Sequence, residues 1–503
     1  MGAIDKVILI MTDTQRWDMC GCYRETGLLT PNIDRLAAGG MRFERAYCAQ
    51  PVCQPARAAI FTGQFPHSCA GWANGMGISD NTKTLGQRLR DEGVHTAYVG
   101  KWHLDGGDYF GLGRCPDGWD ENYWYDMRLY LEGLTEYERR ISRDASHMNK
   151  NDFPGELTFG RRCADKAVEF LRNHGDERFF LTVSFDEPHS PCMCPPPYSS
   201  MYEGYEFPKS PNVYDTLEDK PDYQKLWAGK SLNEDKGSLR IRGKHFFGCN
   251  SFIDSQIGRV IDAAEFLAPG AVVIYTSDHG DFLSSHSLLA KGCTVYDEAA
   301  RVPFIISGGT AKPGSVGKNP VSHINIAPTV MELMGCDIPE MMEGPSLVSE
   351  LADPSQRTNE FVFIEFGRFS LEHDGWGGFQ PMRAVFDGRH KLAVHLLSTD
   401  ELYDIESDPY EMRNLIYDAD RTAVRDRLHD TLLAHMNLTR DPFRGYYWER
   451  RPWRTDAARA TWPYTGMMRD RHEDERYERR PLDYGTGIPL AHHTHEGNNG
   501  FWI

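Results

Sequence analysis

Residues 6–12, Lys-Val-Ile-Leu-Ile-Met-Thr, run apolar and largely β-branched without polar alternation and stop at Asp13. A strand apolar on both faces must be covered on both faces, as an inner strand of a parallel sheet with helices above and below is. The same texture returns at 96–100, 179–185, 271–277 and 303–307, and helix-like stretches lie between at 31–39, 57–62, 84–92, 159–173, 246–266 and 326–334. This alternation predicts an α/β fold built on a large, mostly parallel sheet sandwiched by helices. Ligands in such folds bind beyond the carboxyl ends of the strands, which singles out Asp13, Lys101, Asp186 and Asp278.

From about residue 361 the pattern changes. Runs at 361–365, 382–386, 390–395 and 401–404, two of them joined across Asp387-Gly388, read as hairpin strands. With a helix over 420–437 they predict a smaller C-terminal α+β subdomain carrying an antiparallel sheet. The organisation expected is therefore 1–360, 361–436 and an extension over 437–503 that could serve as an oligomer arm; 503 residues suit two to three domains.

The chain carries 55 Lys+Arg against 73 Asp+Glu, a formal charge of −18. That balance argues against nucleic acid or an anionic membrane as a general partner. It also makes packing or subunit contact the better reading of the basic, aromatic stretch from Arg444 to Arg454. His492, His493 and His495 lack the accompanying thiols or carboxylates of a metal site and read as solvated or interfacial. No apolar run approaches the ~20 residues needed to span a bilayer, and mean hydropathy is −0.54. The first residues carry no signal-peptide pattern, so the expectation is a cytoplasmic protein, or a periplasmic or secreted one if a leader was trimmed. The twelve cysteines are irregularly spaced and read as reduced thiols rather than a disulfide framework.

The chemistry concentrates at Pro51-Val-Cys-Gln-Pro-Ala-Arg57, where Cys53 precedes a helix start and Arg57 follows one turn on. A helix N-terminus and a guanidinium both stabilise an anionic nucleophile, although a buried structural thiol fits the same residues. The segment Cys53-Gln-Pro-Ala-Arg57 resembles the Cys-x-Pro-x-Arg signature of the sulfatase family, formylglycine-dependent members of the alkaline-phosphatase-like superfamily. Residues 93–103, ending Gly-Lys-Trp-His, resemble the second signature. Thr30-Pro-Asn-Ile-Asp34, Asp278-His-Gly280, Lys291-Gly292, Arg301-Val-Pro303 and the stretch from Glu401 to Pro409 follow in the family's order, so the resemblance covers roughly 6–415.

The resemblance implies that Cys53 is oxidised to formylglycine, whose hydrate attacks sulfur with one hydroxyl and later expels sulfate through the other. It implies one divalent cation held by Asp13, Thr14, the modified Cys53, Asp278 and His279, with Gln15 as an alternative to Thr14. Many members carry paired aspartates where this chain has Asp13-Thr14, and Asn where it has His279. Calcium is the expected ion, and the neutral hydroxyl and the imidazole leave manganese as the alternative. Lys101 would steady the formylglycine, His103 would take the proton that triggers sulfate release, and His189 with Lys291 would serve the leaving alkoxide and the sulfate. Asn74 is a candidate contact for the anion. Gln54 occupies a position where small residues are common in the family.

The expected function is hydrolysis of a sulfate monoester on a small sulfated substrate, in all expectation a saccharide, after maturation by a formylglycine-generating enzyme. His373, Trp376 and Arg383 could form a sugar subsite, since sugars stack on aromatics and sulfates pair with Arg. A phosphonate monoester or phosphodiester hydrolase on the same scaffold is the alternative, and a catalytically silent glycan-binding protein a second. The aromatic tail is compatible with a homo-oligomer.

Overall fold

The computed structural model describes residues 4–79, 81–106, 109–148, 153–370 and 378–457. Its main sheet contains β1 (Lys6–Asp13), β2 (Gly40–Tyr47), β3 (His95–Gly100), β4 (Phe179–Pro188), β5 (Val272–Ser277), β6 (Arg301–Val302), β7 (Phe304–Ser307) and β8 (Ser315–Ser322). The strand order is β3-β4-β1-β5-β7-β2-β6, with β8 on β2. β3, β4, β1 and β5 run parallel, whereas β7 is antiparallel to both its neighbours.

The two-faced burial read from β1 is realised side chain by side chain. Val7, Leu9 and Met11 enter one apolar cluster, while Ile8 and Ile10 enter the other on the opposite face. At about 2 kcal/mol per fully buried aliphatic side chain, this strand alone anchors both layers. Helices Phe159–His174 and Lys244–Leu267 cover one face. Helix Ile326–Leu333 and the site-bearing helix Cys53–Thr62 lie on the other.

Two strands escape the sequence pattern for physical reasons. β2 alternates, with Arg42, Glu44 and Arg45 only partly buried, and β8 contains Gly317 and Pro320, both poor strand formers. The site-bearing helix also starts four residues before the expected 57–62, at Cys53 itself.

The second sheet contains β9 (Val362–Phe366), β10 (Met382–Phe386), β11 (His390–His395) and β12 (Glu401–Asp404), antiparallel in the order β12-β11-β10-β9. Met382, Ala384 and Phe386 face the main core, while Val385 faces a smaller core with Leu428, Leu432, Leu433 and Met436 of helix Thr422–Leu438. The sheet is thus a wall shared by both cores. Residues 444–457 pack here: Trp448 is buried, and Arg451 and Trp453 both donate to Asp400. Among the described residues no helix is long and apolar enough to cross a membrane.

Candidate active site

The parallel half of the sheet delivers the site. β1 ends at Asp13, and Thr14 takes a left-handed conformation (φ 66°) that turns the chain away from the strand. This turn points the Thr14 N–H at Asp278 Oδ1 (3.1 Å) and its hydroxyl at Asp13 Oδ1 (2.6 Å). The neighbouring β5 ends one residue before Asp278 and His279. Cys53, first residue of its helix, brings Sγ to 3.1 Å from His279 Nε2 and 3.8 Å from Asp13 Oδ1. Asp13, Cys53, Asp278 and His279 are all buried, and one ligand atom from each lies within 4.8 Å of the others.

Arg57, fully buried one turn into the helix, ties the cluster together. It donates to Asp278 Oδ2 (3.0 Å), Asp13 Oδ2 (3.3 Å), the Lys101 carbonyl (2.8 Å) and Ser184 Oγ (2.7 Å). Lys101, just past β3, sets Nζ 2.6 Å from Asp13 Oδ2 and 3.1 Å from Asp186 Oδ1. β3 can end so close to β4 because residue 100 is glycine: at φ 116°, a Cβ there would lie 1.9 Å from the Ser184 carbonyl oxygen.

The charges sort accordingly. Burial raises Asp13, but Lys101, His189 and Arg57 outweigh it and hold the carboxyl well below its ordinary range. Burial and the neighbouring Asp13 push Asp278 up to about 7. Burial and Asp13 also push the Cys53 thiol up, yet Lys291, Lys101 and His279 overcome them and favour the thiolate. His279 is disfavoured as a cation by burial but raised to about 9 by Asp278 and Cys53.

These observations fit a bound cation. The His279 Nδ1–H donates to the Gly280 carbonyl (2.9 Å), which leaves Nε2 facing Cys53 and the two carboxylates. A buried Asp pair whose mutual repulsion keeps one member protonated, beside an imidazole that takes up a proton, has the donor set and the charge deficit that a divalent metal relieves. The Gln15 side chain is engaged away from the cluster. Its amide donates to Asn250 Oδ1 (2.6 Å) and accepts from Tyr275, so Thr14 is the residue left beside the cluster.

A second group faces the same pocket. His103 is buried in a left-handed turn (φ 59°), with burial lowering its pKa and Nδ1 unpartnered. His189 shares its Nδ1–H between the Ser190 carbonyl (2.9 Å) and the Tyr109 hydroxyl (3.1 Å), so Nε2 faces Lys291 Nζ at 3.2 Å. Tyr109, which the sequence reading did not single out, lies among these residues. Its hydroxyl bonds Asp186, its ring lies 4.0 Å below Lys101 Nζ, and it stands edge-on to His103. It lies in an aperiodic Gly-rich loop, and no sequence signal marks it.

The remaining candidates separate. Asn74 does reach the nucleophile's helix, but its Oδ1 accepts the Gln54 backbone N–H (3.1 Å), while Gln54 Oε1 accepts Gly75 N–H (2.7 Å). The two side chains clasp the helix start to the 73–75 loop. Arg383 corrects the sugar-subsite expectation. It is buried, forms a two-pronged ion pair with Asp441, and gives Nη1 to the Phe366 and Met382 carbonyls (3.1 and 2.9 Å), so four of its five N–H donors are committed within the fold and its two-pronged face is taken. His373 and Trp376 lie outside the described residues, as do His492, His493 and His495.

A cysteine at a helix N-terminus facing carboxylates at the carboxyl ends of parallel strands suits a hydrolytic centre on an α/β fold of alkaline-phosphatase-like architecture. The family model for sulfatases matches residues 5–336, and that for the C-terminal region of N-sulphoglucosamine sulphohydrolase matches 285–437. The chain belongs to the sulfatase family, whose members are sulfuric ester hydrolases. It is 41% identical to the uncharacterized sulfatase YidJ of Escherichia coli K12, with 96% of each chain covered. It is 26% identical to the choline-sulfatase of Rhizobium meliloti over 84% of this chain and 85% of that one. A solved structure of a protein in complex with its substrate D-glucosamine-2-N,6-O-disulfate superposes with TM-score 0.68 at 20% identity, covering 88% of this chain and 99% of that one.

Proposed function

We propose that the chain hydrolyses a sulfate monoester on a sulfated saccharide, using a formylglycine made from Cys53 and one divalent cation held by Asp13, Asp278, His279 and Thr14. The observation that carries this reading is the placement of Cys53 Sγ at a helix N-terminus, 3.1 Å from His279 and ringed by Lys101, Lys291 and His103. The cysteine sulfur marks where the attacking oxygen of the hydrated aldehyde would sit. A cation bound beside it would draw charge from that oxygen and from the sulfate; two carboxylates, a hydroxyl and an imidazole suit manganese as well as calcium.

The chain's own residues do the rest. Arg57 bridges both carboxylates and holds them aimed. Lys101 and Lys291 supply fixed positive charge where three sulfate oxygens must be held, which is worth most in a buried, preorganised site. His103, kept neutral by burial, is a base for the hydroxyl that later collapses to the aldehyde. His189 presents Nε2 for the leaving alkoxide, oriented from behind by Tyr109 and Ser190.

The saccharide is supported by the relative solved with a disulfated glucosamine. The imidazole of His279 favours a phosphonate monoester as a second reading. The test is release of product from matched aryl sulfate and aryl phosphonate monoesters, then from 6-O-sulfated glucosamine and choline sulfate, with Cys53→Ala as blank. Faster, Cys53-dependent sulfate release with the sugar preferred to choline sulfate is the expected result. Preference for the phosphonate would install the second reading, and an intact thiol at Cys53 in protein from the native host would make the chain a silent glycan binder.

A further inference from the structure

At the opposite end of β3 from Lys101 and His103, about 20 Å away along the strand, two histidines and a glutamate converge. His95 opens β3, His174 is the last residue of helix Phe159–His174, and Glu177 lies in the turn leading to β4. Glu177 Oε2 lies 2.9 Å from His95 Nδ1, and its Oε1 lies 2.8 Å from His174 Nδ1. A ligand atom from each of the three lies within 4.8 Å of the others. The two imidazole rings stand edge to face, 4.6 Å between centroids.

The rear of each ring is also occupied. His95 Nε2 lies 2.8 Å from Asp120 Oδ2, and His174 Nε2 lies 2.9 Å from the Tyr123 hydroxyl, whose oxygen also accepts from Asn173 Nδ2. A carboxylate or hydroxyl behind Nε2 keeps the proton on that nitrogen and frees the Nδ1 lone pair, which is the arrangement that orients and strengthens metal-binding histidines. Asp120 is itself held, its other oxygen accepting the Asn122 N–H (2.9 Å). An ordinary helix-terminal ion pair needs one histidine and one carboxylate; it does not call for two imidazoles, each backed by its own partner and aimed at the same carboxylate.

We infer that His95, His174 and Glu177 form a binding site for a zinc-class divalent cation, separate from the catalytic centre. The ion would take the place of any proton shared between an Nδ1 and Glu177, releasing it to solvent. Bonds near 2.1 Å place tetrahedral ligand atoms roughly 3.4 Å apart; the 2.8 and 2.9 Å contacts, one to each Glu177 oxygen, lie below that spacing and the 4.8 Å limit on the three ligand atoms lies above it, so side-chain shifts of roughly 1 Å bring them onto an ion. The histidine side chains are 22% and 24% exposed and Glu177 is 50% exposed, so an ion has access from solvent and the fourth position is left to water. Imidazole nitrogens exclude calcium as the preferred occupant. The consequence is structural: the ion pins the carboxyl end of helix Phe159–His174 to β3, the edge strand that carries Lys101 and His103 at its other end.

The test is calorimetric titration of zinc into the full chain in excess calcium. It is carried out in Cys53→Ala, which removes the thiolate that would itself take zinc. One zinc bound per chain is expected, with a rise in melting temperature. Adding His174→Ala or Glu177→Gln should weaken binding at least about tenfold, and Asp120→Asn, which meets the three ligands only behind His95, by about tenfold. Glu177→Gln sits in an exposed turn and keeps the comparison valid if His174→Ala fails to fold. No zinc event in Cys53→Ala, or one that persists unchanged in both double variants, would overturn the inference.

Discussion

Arg57 sits where two buried carboxylates would otherwise face one another. Losing it leaves Asp13 and Asp278, both fully buried, short of their shared counter-charge. Arg57→Ala should therefore cost about 3–5 kcal/mol in urea unfolding, the usual penalty for orphaning buried charge, as well as abolishing activity. Arg57→Lys keeps the charge but not the fork that spans Asp278, Asp13 and Ser184, so it should recover part of the stability and little of the turnover. Tyr109 poses a different question, because it touches Asp186, His189 and Lys101 without belonging to any motif. Tyr109→Phe removes a hydrogen bond to a charged partner, worth about 1.5–3 kcal/mol, hence roughly tenfold to a hundredfold in kcat/KM. If Tyr109 orients His189, kcat should fall with KM little changed while the melting temperature barely changes. An unchanged kcat with a lowered melting temperature would make Tyr109 structural only.

At the level of elements, the junction between the two sheets rests on a buried charge cluster. His67, two residues past a loop from the site-bearing helix, sets Nδ1 2.5 Å from Glu365 Oε2 on β9, and its backbone N–H donates to Glu365 Oε1 (2.7 Å). Burial disfavours the imidazolium, but Glu365 and Asp441 outweigh burial and raise His67 from 6.5 to about 9. A folded-state pKa above the unfolded one adds stability that is fully present below about pH 6.5 and lost as pH rises through about 9. Stability to urea should accordingly fall by a few kcal/mol (~3) between pH 6.5 and 9.5, and His67→Gln should flatten that decline; an equally steep decline in the variant would refute the assignment.

The same junction shows where sequence stopped being informative. Strands buried on both faces, such as β1 and β5, announce themselves, and so do site residues carried in contiguous motifs. Arg383 on β10 looked like a sulfate ligand because its partner, Asp441, is 58 positions away and only folding brings them together. Tyr109 was invisible for the same reason, and β8 because glycine and proline hid it.

For the whole molecule, the site draws on six separated stretches: the ends of β1, β3, β4 and β5, the first turn of helix Cys53–Thr62, and the loop holding Lys291. A cation bound among Asp13, Asp278 and His279 would bind the folded chain alone, because no unfolded segment brings those three together. By mass action it then stabilises the fold, by about 2.7 kcal/mol at a free concentration a hundred times its dissociation constant. Removal by a chelator should lower the melting temperature by several degrees, and calcium or manganese should restore it. Since calcium does not suit the His95, His174 and Glu177 group, recovery with calcium alone assigns the effect to the catalytic centre. Asp278→Asn should start at or above the chelated protein's stability, because it removes the repulsion that now holds Asp278 near 7, and should gain little from added metal. A wild-type melting temperature indifferent to both chelator and calcium would mean that Arg57 and Lys101 neutralise the carboxylates unaided, and the cation would have to leave the mechanism.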